Sequence, residues 1–214
     1  YLGLDSFQEV DITGVTIPIT KHNYMVKRIE DLADTIREAF YIANHGRKGP
    51  VLVDIPKDIT ATPYDYIPRE PKDASNTTVF EGQDMEKVLS LLVNSRRPFV
   101  YAGGGIIASE ANEALKAFAD RLDAPVACSL MCQGGFDQTD PRYLGMLGMH
   151  GTVASANAIK ECDLFVAIGT RFSDRVVCDA KGFAYNRPII HIDIDPAEFN
   201  KNIFVTCKVK GDAK

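Results

Sequence analysis

The sequence predicts an α/β protein: a doubly wound parallel sheet over residues 83–214, preceded by an incomplete α/β piece of a second domain over residues 1–58. Three observations carry this. Short apolar runs alternate with helix-period segments, and such alternation means parallel strands covered by helices on both faces. The apolar run Pro98, Phe99, Val100, Tyr101, Ala102 meets three glycines (Gly103, Gly104, Gly105) and then a helical pattern, giving strand, tight turn and helix. Each loop that follows a predicted strand carries glycine plus a polar or charged residue, at the sheet edge where ligands gather in open α/β folds.

Taken in order, Val15, Thr16 and Ile17 read as a short strand ended by Pro18. Ile29, Leu32, Ala33, Ile36, Ala39, Phe40 and Ile42 recur at helical spacing and predict a helix over 29–43, with Glu30 and Asp31 favourably placed in its first turn. Gly46 stops it. Gly49 and Pro50 turn the chain into an apolar, β-branched strand over 51–55. Such a strand–helix–strand unit cannot bury both faces of its sheet within 58 residues, so exposed apolar surface is expected there. Residues 57–78 show no helical or strand period and carry Pro63, Pro68 and Pro71, so 59–82 reads as an extended linker. Met85, Val88, Leu89 and Leu92 then predict a helix over 83–94. The glycine-ended strand over 98–102 follows, and Ala114, Leu115, Phe118 and Leu122 place a helix over 111–122. Beyond it come a strand over 124–128, a long glycine-rich loop to His150, a helix over 152–160 capped by Thr152, and strands over 163–168, 188–192 and 204–209.

Composition narrows the function classes. With 45% hydrophobic and 25% charged residues among 214, the chain is of ordinary soluble globular type. A net charge of −5 and a pI near 5.4, with no basic run longer than Arg96 and Arg97, argue against nucleic acid or an anionic membrane as partner. No apolar run approaches the roughly 20 residues of a membrane helix. The five cysteines (Cys128, Cys132, Cys162, Cys178, Cys207) form no C-x-x-C pair and read as reduced, mostly buried thiols, which points to a cytoplasmic setting. His22, His45, His150 and His191 lack metal-ligand spacing, so no metal site is predicted. No G-x-S-x-G elbow is present and no catalytic residue is assigned. The chain opens without methionine and closes in what reads as the entrance to another helix, so a piece of a longer protein is expected.

The residues point to a binder of a phosphate-rich cofactor. Gly103, Gly105 and Ala108 match G-x-G-x-x-A, the Rossmann-like dinucleotide fingerprint with alanine in third place. The acid that normally holds the ribose at the end of the next strand is absent, and Asp193, at the end of a later strand, is the candidate instead. Gly169, Thr170, Arg171, Phe172, Ser173, Asp174 and Arg175 form a second glycine-started loop whose two arginines suit a diphosphate. Each stretch also has a plain structural reading. The glycines can be punctuation, and the second loop a solvated one with an internal Arg171–Asp174 ion pair. Both loops in one sheet tip the balance toward binding.

Longer strings carry a resemblance over nearly the whole chain: Asp5-Ser6-Phe7-Gln8-Glu9, Ile19-Thr20-Lys21-His22-Asn23-Tyr24, Gly49-Pro50-Val51-Leu52-Val53-Asp54-Ile55-Pro56-Lys57-Asp58, Met146-Leu147-Gly148-Met149-His150-Gly151-Thr152, and His191-Ile192-Asp193-Ile194-Asp195. In these the chain resembles the acetohydroxyacid (acetolactate) synthase family of thiamine-diphosphate enzymes. The resemblance implies the end of a pyrimidine-binding domain over 1–58, a linker over 59–82 and a Rossmann-like FAD-binding central domain over 83–214. It implies FAD contacts at Arg47, Gly104, Ser129, Leu130, Met131, Leu147, Gly148, Met149, His150, Gly169, Thr170, Arg171, Phe172, Ser173, Arg175, Asp193, Ile194 and Asp212. Gln8 falls where the family contacts thiamine diphosphate, and Phe7, Lys21 and Lys57 fall near its substrate channel.

What the resemblance further implies is an enzyme that condenses pyruvate with a second 2-ketoacid, pyruvate or 2-ketobutyrate, after decarboxylation on thiamine diphosphate with Mg2+. That reaction serves branched-chain amino acid biosynthesis. The family works as a homodimer or tetramer, with a small regulatory subunit in some members, and its flavin does no net redox work. Its activating glutamate would fall before Tyr1 and its Gly-Asp-Gly metal motif beyond Lys214, so the 214 residues alone are expected to lack carboligase activity. Glyoxylate carboligase, the FAD-free catabolic acetolactate synthase and a non-catalytic nucleotide-binding module are the rival readings.

Overall fold

The computed structural model describes residues 3, 4, 6, 7, 9–70, 85–177, 183 and 187–214. The chain divides into two compact units, 1–77 and 78–214.

In the first unit, helix α1 (Ile12–Thr16) and a 3-10 turn (Ile17–Ile19) occupy the stretch expected to be a strand. The β-branched run is overridden by local capping. Asp11 accepts the Gly14 N–H at 2.9 Å and the Thr13 hydroxyl at 2.8 Å, while the Thr16 hydroxyl bonds back to Ile12 O at 2.6 Å. The first strand is instead β1 (His22–Met25), whose polar start hid it. Helix α2 (Ile29–Asn44) follows, ending beside Gly46 at φ +61°, and leads to β2 (Val51–Asp54), which pairs parallel with β1. Pro56 then starts helix α3 (Lys57–Ala61), a turn of helix where extended chain was expected. Residues 62–70 are irregular, and 71–82 fall outside the described residues. Both strands are only half-buried, and Phe7, Val15, Ile17, Ile19 and Phe40 are exposed, as the two-stranded sheet requires.

The second unit is built on six parallel strands. After helix α4 (Met85–Asn94) come β3 (Pro98–Ala102), helices α5 (Gly104–Ala108) and α6 (Asn112–Leu122), and β4 (Val126–Cys128). Then follow β5 (Tyr143–Met146), helix α7 (Val153–Glu161), β6 (Leu164–Ile168), β7 (Ile189–Asp193) and β8 (Cys207–Lys210). The sheet order is β5-β4-β3-β6-β7-β8, every pair parallel. From β3 the chain first steps outward to β4 and β5, then returns to the other side of β3 for β6, β7 and β8. That reversal is the topological switch of a doubly wound sheet.

Strand alternation sorts the core into two layers. Val100 and Ala102 of β3 pack with Val88 of α4, Ile106 of α5, and Leu115 and Ala119 of α6 on one face. Phe99 and Tyr101 face the other way, with Phe165, Phe172 and Ile203, where Ala158 and Ile159 of α7 complete the cover. β3 and β6 are buried at every position, which explains their unbroken apolar run. At the amino edge, Asp163 accepts the Ser95 hydroxyl and the Arg96 and Arg97 N–H groups, locking the α4–β3 turn to the start of β6.

The expected long loop to His150 in fact contains a 3-10 turn (Leu130–Cys132) and β5. Gly145, at φ +82° beside a register shift against β4, interrupts the apolar pattern of that strand. The helix expected over 111–122 is α6, and the glycine turn adds a short helix of its own, α5. Thr152 caps α7 as expected, accepting the Ser155 N–H at 3.1 Å. Cys128, Cys132, Cys162 and Cys207 are all buried.

Candidate functional site

Every loop singled out in the second unit leaves the carboxyl end of a strand, and the switch lies between β3 and β6. The two glycine loops there are interlocked. Gly103 N–H donates to Ile168 O at 2.8 Å and Gly105 N–H to Gly169 O at 3.0 Å. A Cβ on Gly103 would sit 2.0 Å from Gly169 O, and one on Gly105 would sit 2.7 Å from Gly169 Cα. The outer glycines of the fingerprint therefore serve the approach of one loop to the other, and Gly104 between them is the least crowded of the three. A Cβ there would lie 3.0 Å from Met131 Cβ.

The remaining loops close on the same rim. Ser129 N–H donates to Ala102 O at 2.8 Å and Leu147 N–H to Cys128 O at 3.1 Å, so the turns after β4 and β5 fold in toward β3. Met149 N–H donates to Arg175 O at 2.7 Å, although the parent strands β5 and β6 are separated by β4 and β3. The loop after β6 thus reaches back across the switch. Gly148 at φ +114° permits this, since a Cβ there would lie 2.5 Å from Arg175 O. On the other side, Gly169 N–H donates to Ile192 O at 2.8 Å and Gly211 N–H to Asp193 O at 3.1 Å, bringing in β7, β8 and Asp212.

The side chains on this rim have a definite character. Leu130 and Met131 are each 72% exposed and Met149 52% exposed, apolar groups left uncovered beside glycine backbone. Arg171 and Arg175 are exposed cations, and Arg175 reaches Met149 Sδ at 3.8 Å. Among the described residues no ion pair joins Arg171 to Asp174, and both are exposed. Leu147, Thr170 and Phe172 are buried in the core, which leaves only their backbone to face a ligand. Ser173 is half-buried, and its carbonyl accepts Val176 and Val177 N–H at 2.9 Å each. Ile194 is half-buried and His150 exposed. Asp193 is buried, one carboxylate oxygen accepting the Asp195 N–H at 2.9 Å and the other 3.7 Å from His191 Nε2.

Apolar side chains for a flat ring, glycine backbone and arginines for a diphosphate, and a carboxylate for a ribose make a donor set that fits a flavin dinucleotide. Burial pushes the Tyr101 phenol up to about 12, despite its hydrogen bond to the Thr170 side chain. The phenol is thus a neutral prop of the loop. Among the described residues, no cluster of three or more His, Cys, Asp or Glu could hold a metal, and no helix is long and apolar enough to cross a membrane.

The candidates in the first unit are placed within it. Phe7 is 93% exposed and Lys57 is exposed at the first turn of α3. Lys21 Nζ donates to the carbonyls of Ile42 and His45 and so ties down the end of α2, a role its motif did not reveal. Arg47 is exposed in the turn after α2. Gln8, the thiamine-diphosphate candidate, lies outside the described residues. Two contributors that sequence reasoning missed are Tyr101 and His191, which brace the β6 loop from beneath. Only the alternation of strand faces could have signalled them.

Strand order and rim together define an α/β domain of the doubly wound class, with its strand-end crevice at the β3/β6 switch. The family model described as thiamine pyrophosphate enzyme, central domain, matches residues 85–214, and the chain belongs to that family. It is similar over its whole length to the acetolactate synthase large subunit of Haemophilus influenzae, at 43% identity, covering 38% of that protein. It is likewise similar to that of Corynebacterium glutamicum, at 43% identity over 34% of its length, and to the probable one of Methanocaldococcus jannaschii, at 45% over 37%. The chain thus spans a little over a third of the relatives it matches.

Proposed function

We propose that this chain is the flavin-holding part of an acetolactate synthase large subunit, which when whole condenses pyruvate with a second 2-ketoacid, pyruvate or 2-ketobutyrate, in branched-chain amino acid synthesis. The observation that carries the reading is the convergence of six loops on one rim, joined by the Met149–Arg175 bond across the switch. Residues 1–58 then end a pyrimidine-binding domain, 59–82 link, and 83–214 form the central domain. Arg171 and Arg175 hold the diphosphate of FAD, Gly104 gives it bare backbone, and Asp193 takes the ribose hydroxyls. Leu130, Met131 and Met149 supply apolar contact. Ser129, the loop backbones from Leu147 to His150 and from Gly169 to Ser173, and Ile194 and Asp212 complete the set.

FAD supplies no net redox step and fills the crevice as a structural group. Thiamine diphosphate with Mg2+ supplies the decarboxylation and carbon–carbon bond-forming chemistry, with Gln8 beside it and Phe7 and Lys57 along the path of the ketoacid. Lys21 shapes that path by fixing the end of α2. The whole enzyme is a cytoplasmic homodimer or tetramer, joined in some settings by a small regulatory subunit.

The test is turnover by the full-length protein from which flavin has been stripped. Given pyruvate, thiamine diphosphate and Mg2+, it is expected to form acetolactate only after FAD is restored. Acetaldehyde as product, turnover of glyoxylate instead, or full acetolactate synthesis without FAD would each overturn the reading.

A further inference from the structure

We propose that His191 is the positioning residue of the Gly169–Arg175 loop. Its imidazole, with the proton on Nε2, pins the Thr170 carbonyl and thereby fixes Arg171 for the ligand's diphosphate. The inference rests on the flavin reading above and goes beyond it, since His191 is buried in the sheet and belongs to no contact assigned there.

His191 sits on β7 with no exposed surface. Phe172 and Phe199 stand edge-on to its ring at centroid distances of 5.0 and 5.2 Å. Nε2 lies 2.8 Å from Thr170 O. A carbonyl only accepts, so that nitrogen carries the proton. The Asp193 carboxylate, 3.7 Å away, is beyond hydrogen-bond reach. Nδ1 is buried without a partner among the described residues. A polar ring in an apolar cage, half satisfied, is costly where a phenyl ring would fit. The one thing the imidazole does that a phenyl cannot is hold Thr170.

Thr170 opens a strained stretch. Gly169 has φ +59°, and Phe172, a bulky side chain, has φ +49° in the left-handed region. Such backbone persists when its surroundings over-determine it. Here the Tyr101 hydroxyl takes the Thr170 side chain, Asn202 Nδ2 donates to Phe172 O at 3.0 Å, and the Phe172 ring is buried against His191. Arg171 therefore stands between two residues anchored in the core, with only its own side chain in solvent. Release of Thr170 O frees the amino side of that arch.

The test uses the full-length protein and three substitutions. His191→Phe keeps an aromatic ring and removes the donor. His191→Gln carries an amide nitrogen at the reach of Nε2, and His191→Asn carries one only at the reach of Nδ1. FAD affinity is read by fluorescence quenching, and amide hydrogen exchange of residues 169–175 is read without flavin. His191→Phe and His191→Asn are expected to weaken FAD about tenfold, mainly by faster release, and to speed exchange in the loop. His191→Gln is expected to stay within about threefold of wild type. Equal weakening by Gln and Asn, or unchanged affinity and exchange in His191→Phe, overturns the inference. If His191→Phe yields no folded protein, the Gln and Asn pair decides alone. Wild-type protein that takes up no FAD refutes the proposed function instead, and the exchange comparison still judges His191.

Discussion

Substituting Gly103 by alanine tests the interlock at the switch. Gly103 has φ −106°, a conformation alanine adopts freely, so the whole effect is steric. The new Cβ would lie 2.0 Å from Gly169 O and 2.6 Å from Gly169 C and Thr170 Cα, all backbone atoms that no rotamer change can move. To reach an ordinary contact of 3.4 Å the loops must part by about 1.4 Å, the difference 3.4 − 2.0. That stretches the Gly103–Ile168 bond, now 2.8 Å, and the Gly105–Gly169 bond, now 3.0 Å, past useful length. Losing both costs about 2 kcal/mol, and the residual overpacking about 1–3 kcal/mol more. A sum near 4 kcal/mol corresponds to a fall of about 10 °C in thermal midpoint for a domain of this size. Gly134→Ala is the control: at φ +85° and with open space around it, it costs only about 1 kcal/mol of backbone strain. The assay is thermal denaturation of the full-length protein, alongside FAD titration. A Gly103→Ala protein no less stable than Gly134→Ala, with full flavin affinity, would refute the interlock.

Arg171→Ala removes an exposed cation that nothing in the core depends on. It should leave the flavin-free midpoint within about 1 °C while weakening FAD about 10- to 100-fold by titration, as loss of a charge-assisted pair implies. Asp193→Asn keeps the shape and one acceptor for the Asp195 N–H but loses the charge, and is expected to cost about tenfold in FAD affinity. Asp140→Asn probes the rim of the β4–β5 connection. The Arg142 guanidinium, 2.6 Å away, and the Arg142 N–H hold the Asp140 carboxyl at about 2, below its ordinary 3.8. A depressed carboxyl stabilises the fold above its unfolded value and loses that contribution as pH falls through the folded one. The wild-type midpoint should therefore exceed that of Asp140→Asn by a steady margin from pH 7 to 5. The margin should narrow between 3.8 and about 2 in pH-dependent denaturation.

Much of the second unit was legible because parallel strands buried on both faces must be apolar throughout, as 98–102 and 164–168 are. The carboxyl-end loops followed from that, and Gly104, Arg171 and Asp193 do stand at the ends of the adjacent strands β3, β6 and β7. What escaped were elements decided by single side chains or single dihedrals. Asp11 turned the β-branched run 15–17 into helix. Gly145 masked β5, and the polar His22 and Asn23 concealed β1. The fingerprint glycines were rightly located but served another purpose, since the partner that crowds them, Gly169, lies over 60 residues away. Tyr101 and His191 were invisible as contributors because their function depends on the face their strand turns inward.

The central question is whether this rim grips the diphosphate and ribose of a flavin dinucleotide. The most direct measurement is the affinity of flavin-stripped full-length protein for FAD, FMN and riboflavin, compared by fluorescence quenching. Binding of FAD at least about 100-fold tighter than either shorter flavin is predicted, because the adenosine half and second phosphate carry the grip of Arg171 and Asp193. Equal affinity for all three, or an FAD affinity indifferent to both Arg171→Ala and Asp193→Asn, would contradict it.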